Sequence, residues 1–307
     1  MLRCLPPLVL ISGMIALAQV HEVYYQGDLA PLNIAPTFNR GYLVVYDRDR
    51  QIAVFGPDGA LLYRAAVRVP GAKWGDVENA DVDADGTMAA AVRAISNSEA
   101  AGRGGIALFH RDGTQIRYFE TRDFLPTEVA FGPDGAIWTV GWLGESRARL
   151  TEDYPILRKY SRDGTELGRF LPRASFPAPD DPLREPLILP VTGLWRMRVE
   201  NRHVEVMLHR QGIWVQTDLD GKETGRWDVG FNGFPRAITG NGQAWRVADS
   251  QLQIFNRSSG AWQPAPFTAP GGSLLGADGN NLVFELSDHV ALRWVPVPEA
   301  ITSQTRR

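Results

Sequence analysis

Glu78, Glu128, Asp249 and His289 are the side chains of this 307-residue chain best suited to acid–base work or to holding a divalent ion. Carboxylates and an imidazole offer oxygen and nitrogen donors, and both can take up a proton near neutral pH. His289 follows Asp288, a pair that could act as general base at a channel mouth, although such a pair more often caps a polar turn. A second set suits recognition: Trp74, Asp76, Asn79, Trp142, Arg210, Arg236 and Asp288. Trp74 and Trp142 fall in or beside expected loops, where an exposed ring could stack a sugar or grip a peptide.

Familiar catalytic motifs are missing. There is no His-Glu-x-x-His, no phosphate-cradling glycine loop and no Gly-x-Ser-x-Gly. His203 and His209 share one face of an expected strand but would stand about 20 Å apart, too far to share a metal. Asp81, Asp83 and Asp85 alternate along a strand without the spacing or later glutamate of a calcium hand. They read as a solvated strand edge before a turn, and His110 as a solvated residue beside another. No metal site or cofactor is assigned from these residues; a divalent metal is possible if the protein is an enzyme.

Positioning such residues requires a scaffold, and the scaffold is written in aspartate–glycine turns. Apolar strands lead into Asp58-Gly59, Asp112-Gly113, Asp163-Gly164 and Asp220-Gly221 at intervals of about fifty residues, with a degenerate fifth turn at Ser259-Gly260. An inner set lies at Asp85-Gly86, Asp134-Gly135, Asn241-Gly242 and Asp278-Gly279. Glycine supplies the positive φ of a tight hairpin. Two hairpins per repeat give four antiparallel strands, one propeller blade. Six blades are expected, at about 36–69, 79–122, 127–172, 192–230, 236–266 and 273–297. The sixth lacks an outermost strand, which His21 to Gln26 could supply, closing the ring. The expected fold is all-β, a six-bladed propeller of four-stranded antiparallel blades. Both turn sets would point to one face, leaving the candidate residues on the other.

A formal charge of −3 gives no electrostatic case for nucleic acid. Residues 1–18 read as a secretory signal: Arg3, an apolar run from Leu8 to Leu17, and a small-x-small site at Ala16-Leu17-Ala18. The run is too short for a membrane span, which needs about 20 apolar residues. Cleavage would remove Cys4, the only cysteine, and leave a propeller over 19–300 with a tail over 301–307. The location implied is the periplasm or the cell exterior. The proline-rich stretch Leu171–Pro190 reads as a flap or partner contact.

The segment Pro126-Thr127-Glu128-Val129-Ala130-Phe131-Gly132-Pro133-Asp134-Gly135-Ala136-Ile137-Trp138 is similar to the blade of the streptogramin lyases. With the two-turn repeat, the chain resembles the NHL-type six-bladed propellers, which include those lyases and the gluconolactonase-like group. The resemblance implies fold rather than activity. The chain lacks the opening Glu-Gly-Pro of the gluconolactonase-like group and its Glu, Asn, Asn, Asp metal set. The expectation is therefore an exported binding or scaffolding module for a small molecule, a glycan or a protein partner. The rival expectation is a metal-dependent lyase or hydrolase, lactonase-like, with Glu78, Glu128, Asp249 and His289 at the central funnel.

Overall fold

The computed structural model describes residues 21–24, 37–46, 51–95, 103–143, 151–176, 195–200, 202–208, 212–230, 233–286 and 291–298. The signal segment, most of the Leu171–Pro190 stretch, the tail, Arg210, Asp288 and His289 lie outside them.

Six four-stranded antiparallel sheets are present, one for each expected blade. Blade one holds β2 (Thr37–Asn39), β3 (Tyr42–Tyr46), β4 (Gln51–Phe55) and β5 (Leu61–Ala66). Blade two holds β6 (Trp74–Val82), β7 (Met88–Ile95), β8 (Arg103–Phe109) and β9 (Gln115–Glu120). Blade three holds β10 (Phe124–Phe131), β11 (Ile137–Leu143), β12 (Pro155–Tyr160) and β13 (Glu166–Pro172). Blade four holds β14 (Trp195–Glu200), β15 (His203–Leu208), β16 (Ile213–Asp218) and β17 (Glu223–Asp228). Blade five holds β18 (Ala237–Ile238), β19 (Ala244–Ala248), β20 (Gln251–Asn256) and β21 (Ala261–Pro264). Blade six joins β22 (Ser273–Asp278), β23 (Asn281–Glu285) and β24 (Ala291–Pro296) to β1 (His21–Tyr24). The pairing of His21 with Trp294 through Tyr24 with Ala291 closes the ring, and the Glu22 carboxylate receives Arg293 at 2.7 Å. Blade two starts five residues earlier than expected, so Trp74, Asp76 and Glu78 belong to an innermost strand rather than to a loop.

The hairpins follow from their sequence. In the Asp58-Gly59 turn, Gly59 N–H donates to the Gly56 carbonyl at 3.0 Å, and Gly56 N–H donates to that of Ala60 at 2.9 Å. Asp58 accepts from Ala60 N–H at 3.1 Å, which holds the turn from the side chain. Only the glycine adopts positive φ, +78°. The turns at Gly86, Gly113, Gly135, Gly164, Gly221 and Gly242 repeat the backbone pattern.

The outer-turn glycines have a second duty. A Cβ at Gly113 would strike the Arg64 carbonyl on the outermost strand of blade one. At Gly164 it would strike Phe119 of blade two, at Gly221 Phe170 of blade three, and at Gly59 the Tyr24 carbonyl of β1. These four tips are pressed against the blade before them, whereas at Gly260 an added Cβ would meet only Trp227 at 3.9 Å. The buried apolar residues correspondingly fall into six clusters, one between each neighbouring pair of blades. Trp138, Trp214, Trp245 and Trp294 are buried in these interfaces, as their place in strands predicts. Trp214, for example, lies 5.1 Å from Phe255 of the next blade.

Gly113→Ala and Gly242→Ala separate the two duties. At Gly242, φ is +82° but nothing lies within 4 Å of an added Cβ, so alanine is expected to cost about 1–2 kcal/mol in urea unfolding. Gly113→Ala carries that strain plus a backbone collision and is expected to cost more than about 3 kcal/mol. Equal losses would mean that the tips serve backbone conformation alone.

Candidate functional site

The innermost strands surround an axial channel. At the end remote from the hairpin tips it widens into a funnel of about 420 Å³, lined by residues from all six blades. A second cavity of about 440 Å³ opens at the hairpin end, and Asn39, Val199 and Glu200 line both.

Three β-bulges shape the funnel wall. The register slips between Val77 and Asn79 in β6, between Pro126 and Glu128 in β10, and between Leu274 and Gly276 in β22. The extra residues, Glu78, Thr127 and Leu275, all line the funnel. A bulge leaves one residue without a cross-strand partner and re-aims its side chain. Blade four works by simple alternation: Met197 and Val199 enter the core, while Arg196, Arg198 and Glu200 share the opposite, channel-facing side of β14.

The polar groups are joined across blades. Asn79 accepts from Val129 N–H at 3.0 Å, and Asp81 accepts from Phe131 N–H at 2.8 Å. Asp81 also receives Asn39 at 2.8 Å and Arg40 at 3.3 Å from blade one. Glu128 receives Arg196 at 2.7 Å, and Glu78 pairs with Arg93 at 3.3 Å. Burial raises the Glu78 and Glu128 carboxyls above their ordinary range, and their arginine partners oppose the shift. Glu200 rises to about 7, mainly through burial; Arg198 opposes this and Glu205 adds to it.

Of the expected site residues, Glu78, Asn79, Glu128 and Arg236 meet at the funnel. Asn79 is committed there to the inter-blade bridge. Trp142 is not an exposed ring: it is buried in the core between blades three and four, because it pairs within β11 opposite Leu125. Trp74 is half-buried in β6 with Lys73 4.6 Å over its ring, and Asp76 pairs with Arg93 at 3.4 Å; neither lines the funnel. Asp249 occupies the positive-φ turn after β19 and lies outside the funnel lining. Arg210, Asp288 and His289 lie outside the described residues. The expected solvated edge holds for Asp85, which is exposed, but not for Asp81. Asp81 is 2% exposed, and Asp83 and Asp85 both receive Arg162 from blade three. Among the described residues no three His, Cys, Asp or Glu side chains converge to hold a metal ion.

Sequence reasoning missed Arg196, Arg198 and Glu200. Their signal was the period-two alternation of charged and apolar residues in Trp195-Arg196-Met197-Arg198-Val199-Glu200.

No protein-family profile and no curated protein sequence matches the chain. Among solved structures it is similar in fold to a streptogramin B lyase, at 12% identity and a TM-score of 0.47, over 91% of this chain and 88% of the other. It is also similar to a protein of unknown function from Bacteroides caccae, at 12% identity and a TM-score of 0.39, over 85% and 80%. The likeness to six-bladed propellers is one of fold.

Glu200 sets a pH dependence. Its folded pKa near 7 stands above the ordinary 4.5, so its contribution to stability is complete below pH 4.5 and is lost as pH rises through 7. Glu200→Gln removes that loss. The variant is expected to melt higher than the wild type at pH 8, by on the order of 2 kcal/mol in stability, with the gap narrowing towards pH 5. Parallel melting curves from pH 5 to 8 would show that Glu200 titrates normally.

Proposed function

We propose that this protein is an exported β-propeller that binds a small molecule in its central funnel. The observation that carries the reading is the funnel itself: about 420 Å³, walled by the innermost strands of five blades and, in blade five, by the segment leading into β18, with charged side chains held in a concavity. That volume falls in the range of about 300–1,000 Å³ common for small-ligand sites. Keeping carboxylates and guanidiniums half out of water is costly unless each is paired, and Arg236 stands at the funnel without a carboxylate partner among the described residues. Small-molecule recognition therefore fits better than scaffolding through this face. Export follows from the apolar, small-x-small amino terminus.

The binding half is tested by a thermal-shift screen of a small-molecule library against the wild type and Thr37→Trp, which fills the mouth from β2. Compounds that stabilise the wild type are expected to lose their effect on the variant. Hits that act equally on both would place binding elsewhere. For export, the amino terminus of protein recovered from a periplasmic extract is expected at Gln19; an intact Met1 would remove that half.

The raised carboxyls favour one second reading, a lyase or hydrolase in the same funnel. Glu78 and Glu128 are both shifted towards carrying a proton, as a general acid requires. The described residues do not fit a divalent metal, so no step is assigned through one. This reading requires turnover of some small lactone or ester that Glu78→Gln abolishes while binding persists.

A further inference from the structure

The geometry points to a ligand of definite chemistry: a monoanionic carboxylate with an apolar body, its carboxylate on Arg236 and its body against Phe234, Leu274 and Leu275. This rests on the reading of the funnel as a small-molecule site and names what enters it.

Charge pairing singles out Arg236. Each acidic residue among the described funnel lining has a guanidinium within ion-pair distance, Arg93 being shared between Glu78 and Asp76 and Arg40 between Asp81 and Asp83. Asp81 has Arg40 at 3.3 Å, Glu78 has Arg93 at 3.3 Å, Glu128 has Arg196 at 2.7 Å, and Glu200 has Arg198 at 3.6 Å. Arg236 remains. Its side chain reaches the water of the funnel, and no carboxylate of the described residues is within ion-pair distance of it. Its main chain is fixed on both sides. Its N–H donates to the Trp245 carbonyl at 2.7 Å, and its carbonyl accepts from the Arg198 guanidinium. The fork is thus held on an anchored backbone beside two further arginines. Enclosure in the funnel, with Arg196 and Arg198 nearby, lowers the Arg236 pKa, and Glu128 only partly opposes them.

A guanidinium with no carboxylate partner among the described residues suits an anionic group on the ligand. A guanidinium presents two parallel N–H donors, which a carboxylate accepts in a bidentate pair. A phosphate dianion would leave an excess negative charge close to Glu128.

The wall supplies the rest of the ligand. The acidic residues all stand on blades two, three and four: Glu78, Asp81, Glu128 and Glu200. The opposite side carries no charge apart from Arg236: Phe234 and Pro235 lead into blade five, Leu274 and Leu275 stand on blade six, and Phe38 stands on blade one beside Thr37 and Asn39. Leu275 is the half-buried one, while Phe38, Phe234 and Leu274 are mostly turned into the inter-blade cores. Arg236 follows directly on Phe234-Pro235, so charge and apolar surface are adjacent.

Isothermal titration of the full chain with 4-phenylbutyrate, 4-phenylbutanamide and inorganic phosphate tests this. The acid is expected to bind at least about tenfold more tightly than its amide, the strength of one charge-assisted hydrogen-bonded pair. Arg236→Met should erase that preference, and Arg236→Lys should keep part of it. Arg64→Met, on an exposed outer strand, should leave it whole. Equal binding of acid and amide, an acid preference that survives in Arg236→Met, phosphate binding as tightly as the acid, or no binding of either organic probe would overturn the assignment. Acid and amide that bind equally, and are both excluded by Thr37→Trp, would leave the funnel reading standing while the anion assignment falls.

Discussion

Four of the outer hairpins can approach the blade before them only because their tips lack a side chain. Glycine is required twice over at Gly59, Gly113, Gly164 and Gly221: once for positive φ, once because the preceding blade's outer strand occupies the place of a Cβ. Gly59 makes this contact with β1, the strand that the amino-terminal segment lends to blade six. Stacking and ring closure are therefore one interaction at that junction. Without β1 in place, blade one has no surface for its tip, and blade six exposes an unpaired edge at β24. The axial channel exists because the ring is complete.

Closure also dictates what lines the axis. Sheets that radiate from a centre pack well at mid-radius, where the six apolar clusters lie. Near the axis, neighbouring inner strands do not form a ladder, so side chains must answer backbone groups that no strand reaches. Asn79 and Asp81 do this for Val129 and Phe131 of the next blade. A buried acid used in this way needs a cation, and Arg40 provides it from the other side. The polar character of the channel is in part structural. Only what remains after these bridges are assigned is available to a ligand.

This division explains which features could be read from the chain. Turn positions were legible because Asp-Gly has a local cause, positive φ and a side-chain acceptor, that tertiary context does not alter. The blade count followed from them. The funnel residues were legible only in part. Glu78 reaches the lumen through a bulge, and a bulge is set by the neighbouring strand as much as by its own residues. Asp81 alternates with Asp83 and Asp85 as a wet strand edge would, and nothing local reveals that Arg40 and Phe131 will meet it. Trp142 read as a loop ring because β11 runs several residues past the apolar core of its hairpin before pairing ends at Leu143. In Arg196 to Glu200 the signal was present, since strict alternation on an innermost strand aims one set of side chains at the axis.

The two functional readings share an electrostatic link. Glu128 is bonded to Arg196, and it also opposes the pKa depression of Arg236. An anion seated on Arg236 would bring a negative charge towards Glu128, whose carboxyl burial has already raised. Like charges disfavour ionisation, so the anion would push Glu128 further towards its protonated form. By reciprocity, a protonated Glu128 would bind the anion more tightly than an ionised one. Capture of such an anion would thus be coupled to proton uptake in this funnel whether or not a reaction followed. A binding protein would show the coupling as affinity that falls with rising pH. An enzyme would turn the same proton into a general acid already placed beside its substrate.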